Sequence, residues 1–254
     1  MRMRNLLIAG LLAVSAAGGA RAAEVRVLSA AAVGSGLKAV ADLYMRRSGD
    51  TVSIDFATGP EILARISKGE SADVVIAPDA VLKTLAGDKR LGGRPFLLGR
   101  VGIGVAIRDG ARRPAIATVD EVKASVLSAD AVIYSQGTSG IYLEGMMQRL
   151  GLAQPTAART ARVSNGAGVV SRLEAGKGDE IGLSAMTELA LGLGNGLAIV
   201  GPLPSALQHY TDYGAAAGPA ASAKPSVGAF AALLQTDEAR ALLKANGVDP
   251  GPAG

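Results

Sequence analysis

The chain has 254 residues, of which 49% are hydrophobic and 3% aromatic, enough for a compact fold of one or two domains. It contains no cysteine, which excludes thiolate catalysis and thiolate metal sites. The single histidine and the absence of a calcium-loop spacing of acidic residues predict no other metal site. The formal net charge of +4 comes from scattered lysines and arginines without a basic stripe, so we expect no nucleic-acid partner.

The first 22 residues have the pattern of a secretory signal peptide. Arg2 and Arg4 precede an apolar run over residues 6–17, and an A-x-A cleavage pattern ends at Ala22. The apolar run is shorter than the roughly 20 residues that a membrane-spanning helix needs. We therefore expect export to the periplasm with cleavage near Ala22. Loss of the three arginines in this segment lowers the basic count from 26 to 23, against 22 acidic residues, so the mature chain is close to neutral.

Strand-like and helix-like segments alternate along the rest of the chain. Strands are predicted over residues 25–28, 51–57, 72–77, 101–107, 131–134, 161–163, 180–183 and 197–200. Helices are predicted over residues 31–47, 60–68, 79–85, 119–127, 141–150, 168–175, 227–234 and 237–246. This order implies parallel strands joined by right-handed crossovers. The stretch from Gly214 to Pro225 is predicted to be a loop.

The alternation divides into two α/β groups. We expect residues 23–100 and 201–254 to form lobe I and residues 101–200 to form lobe II. Open parallel sheets bind ligands beyond the carboxyl ends of their strands, which favours a site in the cleft between the lobes. Such a protein would close on its ligand by a hinge, and we expect it to be a monomer.

Three strands end in a small-residue turn that carries a hydroxyl and leads into a helix. The turns are Ser29-Ala30, Thr58-Gly59 and Thr138-Ser139-Gly140. Each such turn presents free backbone N–H groups at a helix end where the dipole favours negative charge. The sequence therefore predicts an anion site, with the first two turns in lobe I and the third in lobe II. Taken singly, each hydroxyl is also consistent with an ordinary N-cap.

Several short segments, in order, resemble the periplasmic molybdate-binding family of ABC-transporter receptors. They are VLSAAA from Val27, FATG from Phe56, GESADVVIA from Gly69, GIY from Gly140 and IGL from Ile181, and they cover nearly the whole mature chain. The resemblance implies the α/β, two-lobed type II periplasmic binding protein fold, each lobe a mostly parallel sheet flanked by helices. It also implies that Ser29 and Thr58 bind an oxyanion through hydroxyls, with backbone donors at Ser139 and Gly166.

One position departs from the pattern of that family. Ala185 stands where the family has a binding tyrosine, which removes a donor and opens space. Asn165 and Ser184, together with Thr138 and Ser139, add polar atoms that suit a longer anion with several carboxylates. The predicted ligand is thus a small carboxylate or a molybdate-like oxyanion.

Two functions stay open at this point. The first is a receptor that delivers the anion to an ABC transporter permease; the second is an aconitate isomerase, since such enzymes resemble the same family and share its exported two-lobed plan. An isomerase would interconvert cis- and trans-aconitate by proton transfer, and we expect no cofactor in either case. The candidate bases are Glu61, Glu144, His209, Tyr142 and Tyr210, none of which has a spacing that marks it as catalytic.

Overall fold

A computed structural model describes residues 22–218 and 224–251. The strands are β1 (Glu24–Ala30), β2 (Thr51–Ala57), β3 (Val74–Pro78), β4 (Phe96–Arg108), β5 (Val132–Ser135), β6 (Thr160–Val163), β7 (Ile181–Ala185), β8 (Leu197–Pro202) and β9 (Tyr210–Ala217). The helices are α1 (Gly34–Ser48), α2 (Gly59–Ser67), α3 (Asp79–Gly87), α4 (Val119–Ser128), α5 (Thr138–Arg149), α6 (Ala153–Thr156), α7 (Gly166–Glu174), α8 (Met186–Leu189), α9 (Pro225–Leu234) and α10 (Asp237–Ala245). The predicted signal peptide, apart from Ala22, lies outside the described residues.

The strands follow the order β2-β1-β3-β9-β4-β7-β5-β6, with β8 also paired to β4. Strand β1 is parallel to β2 and β3, and β5 is parallel to β6 and β7, as the alternation of strands and helices predicts. Strand β4 is antiparallel to all of its partners. The α/β fold is thus built from two parallel groups of strands joined through β4.

Strand β4 changes partners along its length. Residues 96–102 pair with β9, whereas residues 103–108 pair with β7 and β8. The lobe boundary that we predict at residues 100–101 falls inside this strand, and the one at residues 200–201 falls inside β8. The exact limits of the lobes stay a prediction.

The prediction of a loop from Gly214 onward is wrong for residues 214–217, which lie in strand β9. Residues 214–217 are the second half of a strand that pairs with both β3 and β4. Their sequence, Gly-Ala-Ala-Ala, has weak intrinsic preference for a strand, so a pattern-based reading misses it. Pairing on both edges overrides this preference and buries most of β9.

The buried apolar residues form separate cores on the two sides of β4. One core packs β1, β3 and β9 against α1, α2, α9 and α10, and includes Leu37, Ile76 and Phe230. Two further clusters lie on the other side of the molecule. One packs β5 and β7 against α5 and includes Leu143 and Met146, and the other packs β5 against α7. Within the described ranges, no helix is both long and apolar enough to cross a membrane.

Candidate anion-binding cleft

The carboxyl ends of β1, β2 and β5 meet at one cleft between the two parallel groups of strands. We call the part between the turns at Thr58 and Thr138 the inner compartment; its empty space, counted together with the solvent at its opening, is about 300 Å³. Six of the residues that the sequence predicts for the site line it: Ala30, Thr58, Gly59, Thr138, Ser139 and Gly166. The lining also includes three polar residues that sequence reasoning missed, namely Ser135, Glu188 and Tyr213.

Thr58 begins helix α2 as the N-cap of a capping box. Its hydroxyl accepts a hydrogen bond from the backbone N–H of Glu61 at 3.4 Å and donates one to the Glu61 carboxylate at 2.9 Å. The same carboxylate accepts the backbone N–H of Thr58 at 2.8 Å. These contacts hold the Gly59 turn against the cleft, so Thr58 combines the role of an N-cap with a place in the lining.

Helix α5 begins in the cleft and brings its first turn close to the end of β5. The Ser135 hydroxyl accepts the backbone N–H of Gly137 at 3.2 Å. A Cβ atom at Gly140 would overlap the Ser135 carbonyl, so only glycine permits this close approach. Because first-turn N–H groups have no acceptor within their own helix, those of Thr138 and Ser139 are available at the cleft.

The two turns touch each other across the cleft. A Cβ atom placed on Gly59 would lie 2.5 Å from the Thr138 Oγ1 atom. A second link joins the same two groups of strands, since the Thr187 hydroxyl donates to the Ala32 carbonyl at 2.6 Å. These two close approaches link the two sides of the cleft.

The other predicted hydroxyls point elsewhere. Ser29 is completely buried and its hydroxyl donates to the Ala30 carbonyl at 3.1 Å. Ser184, also completely buried, donates to the Glu188 carboxyl at 2.8 Å. Neither residue lines the inner compartment, and nor does Gly140. Ser29 and Gly140 are next in the chain to the lining residues Ala30 and Ser139, and Ser184 is hydrogen-bonded to the lining residue Glu188.

Glu188 places a buried carboxyl in the wall of this cleft. Besides the Ser184 hydroxyl, the backbone N–H groups of Gly166 and Ala185 donate to it. A Cβ atom at Gly166 would overlap the Glu188 side chain, so this approach requires glycine. Burial raises the pKa of Glu188, although the three donors act in the opposite direction. The Glu188 carboxyl thus lies at the N-terminus of α7, where it accepts the backbone N–H of Gly166.

Tyr213 supplies a phenol to the cleft from strand β9. The ring is buried in the same apolar cluster as Ala185, the residue that stands where the resemblance leads one to expect a tyrosine. Burial and the nearby Glu188 raise the pKa of Tyr213, so the phenol keeps its proton at neutral pH. Neither lysine nor arginine is among the lining residues that the structure describes, so the polar groups of the inner compartment are N–H and O–H dipoles and the Glu188 carboxyl.

A second space adjoins the first. This outer compartment has about 790 Å³ of empty space, counted together with the solvent at its opening, and is lined by residues from both sides of the cleft. Asn165, the tenth predicted site residue, lies here, with its side chain accepting the Gly168 backbone N–H at 2.9 Å as the N-cap of α7. Three residues, Ala31, Ala57 and Glu188, line both compartments.

Of the candidate bases, only Glu61 lies at the cleft, where its carboxylate is engaged by Thr58. Glu144 pairs with Arg162 at 3.0 Å, and Tyr210 lies against Arg100, 4.4 Å from its guanidinium carbon. Tyr142 donates to the Leu207 carbonyl at 3.0 Å and stacks on His209 with ring centroids 4.3 Å apart. These contacts give Glu144, Tyr210, Tyr142 and His209 structural roles away from the cleft.

The sequence profile of bacterial extracellular solute-binding proteins matches residues 25–249. The chain belongs to this family. The match spans every strand except the first residue of β1 and includes all of the residues that line the cleft. Membership of an extracellular family agrees with the exported character that the first 22 residues predict.

Solved structures of other solute-binding proteins have the same fold. The periplasmic molybdate-binding protein of Azotobacter vinelandii is similar with a TM-score of 0.72 at 18% identity, over 88% of this chain and 98% of that one. The sulfate-binding protein SubI of Mycobacterium tuberculosis H37Rv is similar with a TM-score of 0.70 at 13% identity, over 91% and 88% of the two chains. They confirm the two-lobed type II periplasmic binding protein fold that the sequence predicts.

An enzyme is also similar to this solute-binding protein. An aconitate isomerase of a Pseudomonas species is 28% identical over 238 residues, which are 89% of this chain and 88% of that enzyme. The two resemblances drawn from the sequence, to molybdate-binding receptors and to an aconitate isomerase-like branch, are both confirmed.

Proposed function

We propose that this protein captures a small anion in its interlobe cleft, in the periplasm, and presents it to an ABC transporter permease. The observation that carries the proposal is the meeting of two helix N-terminal turns, Thr58-Gly59 and Thr138-Ser139, across one polar compartment. Each turn belongs to a different side of β4, so an anion between them would hold the cleft shut.

The donors of the inner compartment suffice for tight binding without a charged partner. A hydrogen bond to a charged group contributes roughly 1.5–3 kcal/mol, and micromolar binding needs about 8 kcal/mol in total. Four donors belong to residues that line this compartment: the backbone N–H groups of the turns at Gly59 and Ser139, the Ser139 hydroxyl and the Tyr213 phenol. They suit a carboxylate or a molybdate-like oxyanion.

The test is calorimetric titration of the mature protein with molybdate, sulfate and tricarboxylates, on the wild type and on a Thr58→Ala, Ser139→Ala double variant. We expect the double variant to lose at least about tenfold in affinity, because the Ser139 hydroxyl is removed as a donor and the capping box that holds the Gly59 turn at the cleft is broken. Thr118→Ala is the matched control, since Thr118 forms the same capping box with Glu121 at the start of α4, outside the cleft. Near-wild-type affinity in the double variant would refute the proposed clamp.

A second candidate function, isomerisation of aconitate, is favoured by Glu188. A base in the cleft of this anion-binding fold is not required for capture, yet a buried carboxyl lies there, and a relative at 28% identity is an aconitate isomerase. In this reaction, the base removes a proton from the CH2 group beside the carbon–carbon double bond. The double bond shifts by one position, and the proton returns to its other end, so that no atom or electron is gained or lost.

Glu188 has the properties that such a step requires. Its raised pKa makes it a stronger base than an exposed carboxylate, and afterwards a competent acid for returning the proton. The N–H groups at Ser139 and Gly59 are placed to stabilise the negative charge that develops on a substrate carboxylate. The Ser184 hydroxyl holds the Glu188 carboxyl in position.

The assay for this second function is incubation with cis-aconitate, followed by chromatographic separation of the trans form. If the protein is an isomerase, the wild type converts the substrate, and Glu188→Gln lowers kcat by about 100-fold or more, the usual contribution of a general base. Binding of the saturated analogue tricarballylate should stay within a few-fold in that variant. A wild type that binds cis-aconitate without converting it would exclude the isomerase and leave the receptor.

A further inference from the structure

We propose that the outer compartment is a second anion subsite centred on Lys38, so that the ligand is a dicarboxylate or tricarboxylate spanning both compartments. One carboxylate would lie on the turns of the inner compartment and another would reach the Lys38 ammonium. The inference rests on the proposed anion-binding function and narrows its substrate class.

The two compartments are neighbours in the same cleft. Ala31, Ala57 and Glu188 line both, so a ligand that spans them would pass beside these three residues. Counted together with the solvent at their openings, the inner space is about 300 Å³ and the outer space about 790 Å³. A tetrahedral oxyanion has all its oxygens one bond from a central atom and would fill only the inner part. A ligand with a carbon chain makes use of both.

Lys38 is the cationic side chain of the outer compartment. It extends from the first half of α1, with its ammonium 5.4 Å from the centroid of the Phe56 ring. The ion pairs found among the described residues do not include Lys38. Glu61, the acid on the same side, is engaged in the capping box of α2. Lys38 is therefore placed to attract a ligand carboxylate.

The rest of the lining suits the carbon chain of such a ligand. Phe56 and Leu191 supply apolar surface from opposite sides of the cleft, and Leu191 is 54% exposed in spite of its size. Gly34 leaves room for the Phe56 ring, since a Cβ atom there would lie 3.2 Å from its Cε1 atom. An apolar middle between two polar ends is the usual design of a site for a small organic acid.

Glu188 lies where the middle of this ligand would pass. An ionised carboxylate there would repel a polycarboxylate, whereas a protonated carboxyl group can donate a hydrogen bond to it. In a receptor, burial, which raises the pKa of Glu188, favours the protonated form beside a negative ligand, whereas an isomerase would require the ionised form before it takes up the substrate proton. The groups facing Glu188 are the Ser184 hydroxyl, the N–H groups of Gly166 and Ala185, and the Tyr213 phenol; Lys38 and Glu61 share the outer compartment with it.

The experiment compares tricarballylate, sulfate and molybdate by calorimetry on the wild type, Lys38→Glu and Lys123→Glu. Lys123→Glu is the matched control: it makes the same charge change in the first half of helix α4, outside both compartments. We expect Lys38→Glu to weaken tricarballylate binding about tenfold and sulfate or molybdate binding less than about twofold, with Lys123→Glu near wild type for all three ligands. Thermal unfolding without ligand verifies that all three proteins fold equally well.

Two outcomes separate this inference from the function on which it rests. If sulfate or molybdate binds, but tricarballylate binds no tighter and Lys38→Glu leaves it unchanged, the second subsite is refuted and the anion receptor stands. If neither the inorganic anions nor tricarballylate bind to the wild type, the anion-binding function itself is refuted and the subsite with it.

Discussion

At the scale of single residues, the unusual feature is an acid in a cleft that we propose binds anions. Glu188 accepts three hydrogen bonds, from Ser184, Gly166 and Ala185, yet it is buried without a lysine or arginine in the lining of the inner compartment that the structure describes. The donors lower its pKa and burial raises it, with burial the larger effect. The folded protein therefore holds a proton at this carboxyl more tightly than the unfolded chain does.

This proton affinity predicts a pH-dependent stability difference between the wild type and Glu188→Gln. Because the pKa of Glu188 is raised above the ordinary value of about 4.3, its proton stabilises the folded protein fully below about pH 4.3. This stabilisation is lost as the pH rises through the folded-state pKa. We expect Glu188→Gln to gain stability over the wild type as the pH rises from about 4 to 8. The measurement is urea unfolding across that range, and a constant difference between the two proteins would contradict it.

Glu144→Gln is the matched control for that series. Glu144 lies on the outside of α5, where it pairs with Arg162 at 3.0 Å and is 41% exposed. Removal of this carboxylate breaks a surface ion pair, an effect of about 0–1 kcal/mol, and should not reproduce the pH dependence of the Glu188 variant.

The residues of the site differ in how well the sequence predicts them. Thr58 and Ser139 could be predicted because a strand, a small-residue turn and a helix follow one another locally. Glu188 could not, since its carboxyl meets Gly166 only through packing of α8 against α7. Tyr213 lies just before a stretch whose composition predicts a loop, and only the pairing of β9 with β3 and β4 turns it toward the cleft.

At the scale of the elements, helix α5 is positioned by one close approach. The Gly140 Cα lies against the Ser135 carbonyl, so a methyl group there must displace either the helix or the end of β5. We expect Gly140→Ala to cost about 1–3 kcal/mol of unfolding free energy, as overpacking does, and to weaken anion binding by moving Thr138 and Ser139. Thermal unfolding and calorimetry measure the two effects.

Gly145→Ala in the same helix is the control. Its Cβ atom would meet only the end of the flexible Arg149 side chain, at 3.2 Å, so the substitution should stabilise the helix by about 0.5–1 kcal/mol. If the two variants behaved alike, the contact between Gly140 and Ser135 would not be what positions α5.

The elements themselves divide into predictable and unpredictable ones for a physical reason. The βαβ units around β1 to β3 and β5 to β7 follow from local periodicity, and β2 matches its predicted range over residues 51–57. Strand β4 begins five residues before the predicted start, because residues 96–100 are held by β9, a partner more than a hundred residues away in sequence. Such long-range pairing leaves no periodic trace in the segment itself.

At the scale of the whole molecule, we expect Gly59 to determine how far the cleft can close. Gly59→Ala would place a methyl group 2.5 Å from Thr138 Oγ1 and 3.0 Å from Pro78 Cγ. We expect this variant to stay more open and to lose about tenfold or more in anion affinity. Small-angle X-ray scattering with and without ligand should show compaction on binding in the wild type and less in the variant.

Gly137→Ala tests whether any added methyl group at the cleft has this effect. The new Cβ atom would lie 3.3 Å from Ser135 Oγ and 3.4 Å from Thr58 Cγ2, so these side chains need to move by only a few tenths of an ångström, and the extended backbone at Gly137 accepts alanine. We expect compaction close to that of the wild type. Equal loss of compaction in both variants would show that closure does not depend on the contact between Gly59 and Thr138.

The central claim, that an anion is bound between the turns of the two lobes, is tested most directly by a crystal structure with the anion that binds tightest in the calorimetric panel. The account predicts the anion in the inner compartment, within hydrogen-bond distance of the Gly59 and Ser139 turns, in a closed cleft. An anion bound only outside the cleft, with the inner compartment holding none, would contradict it.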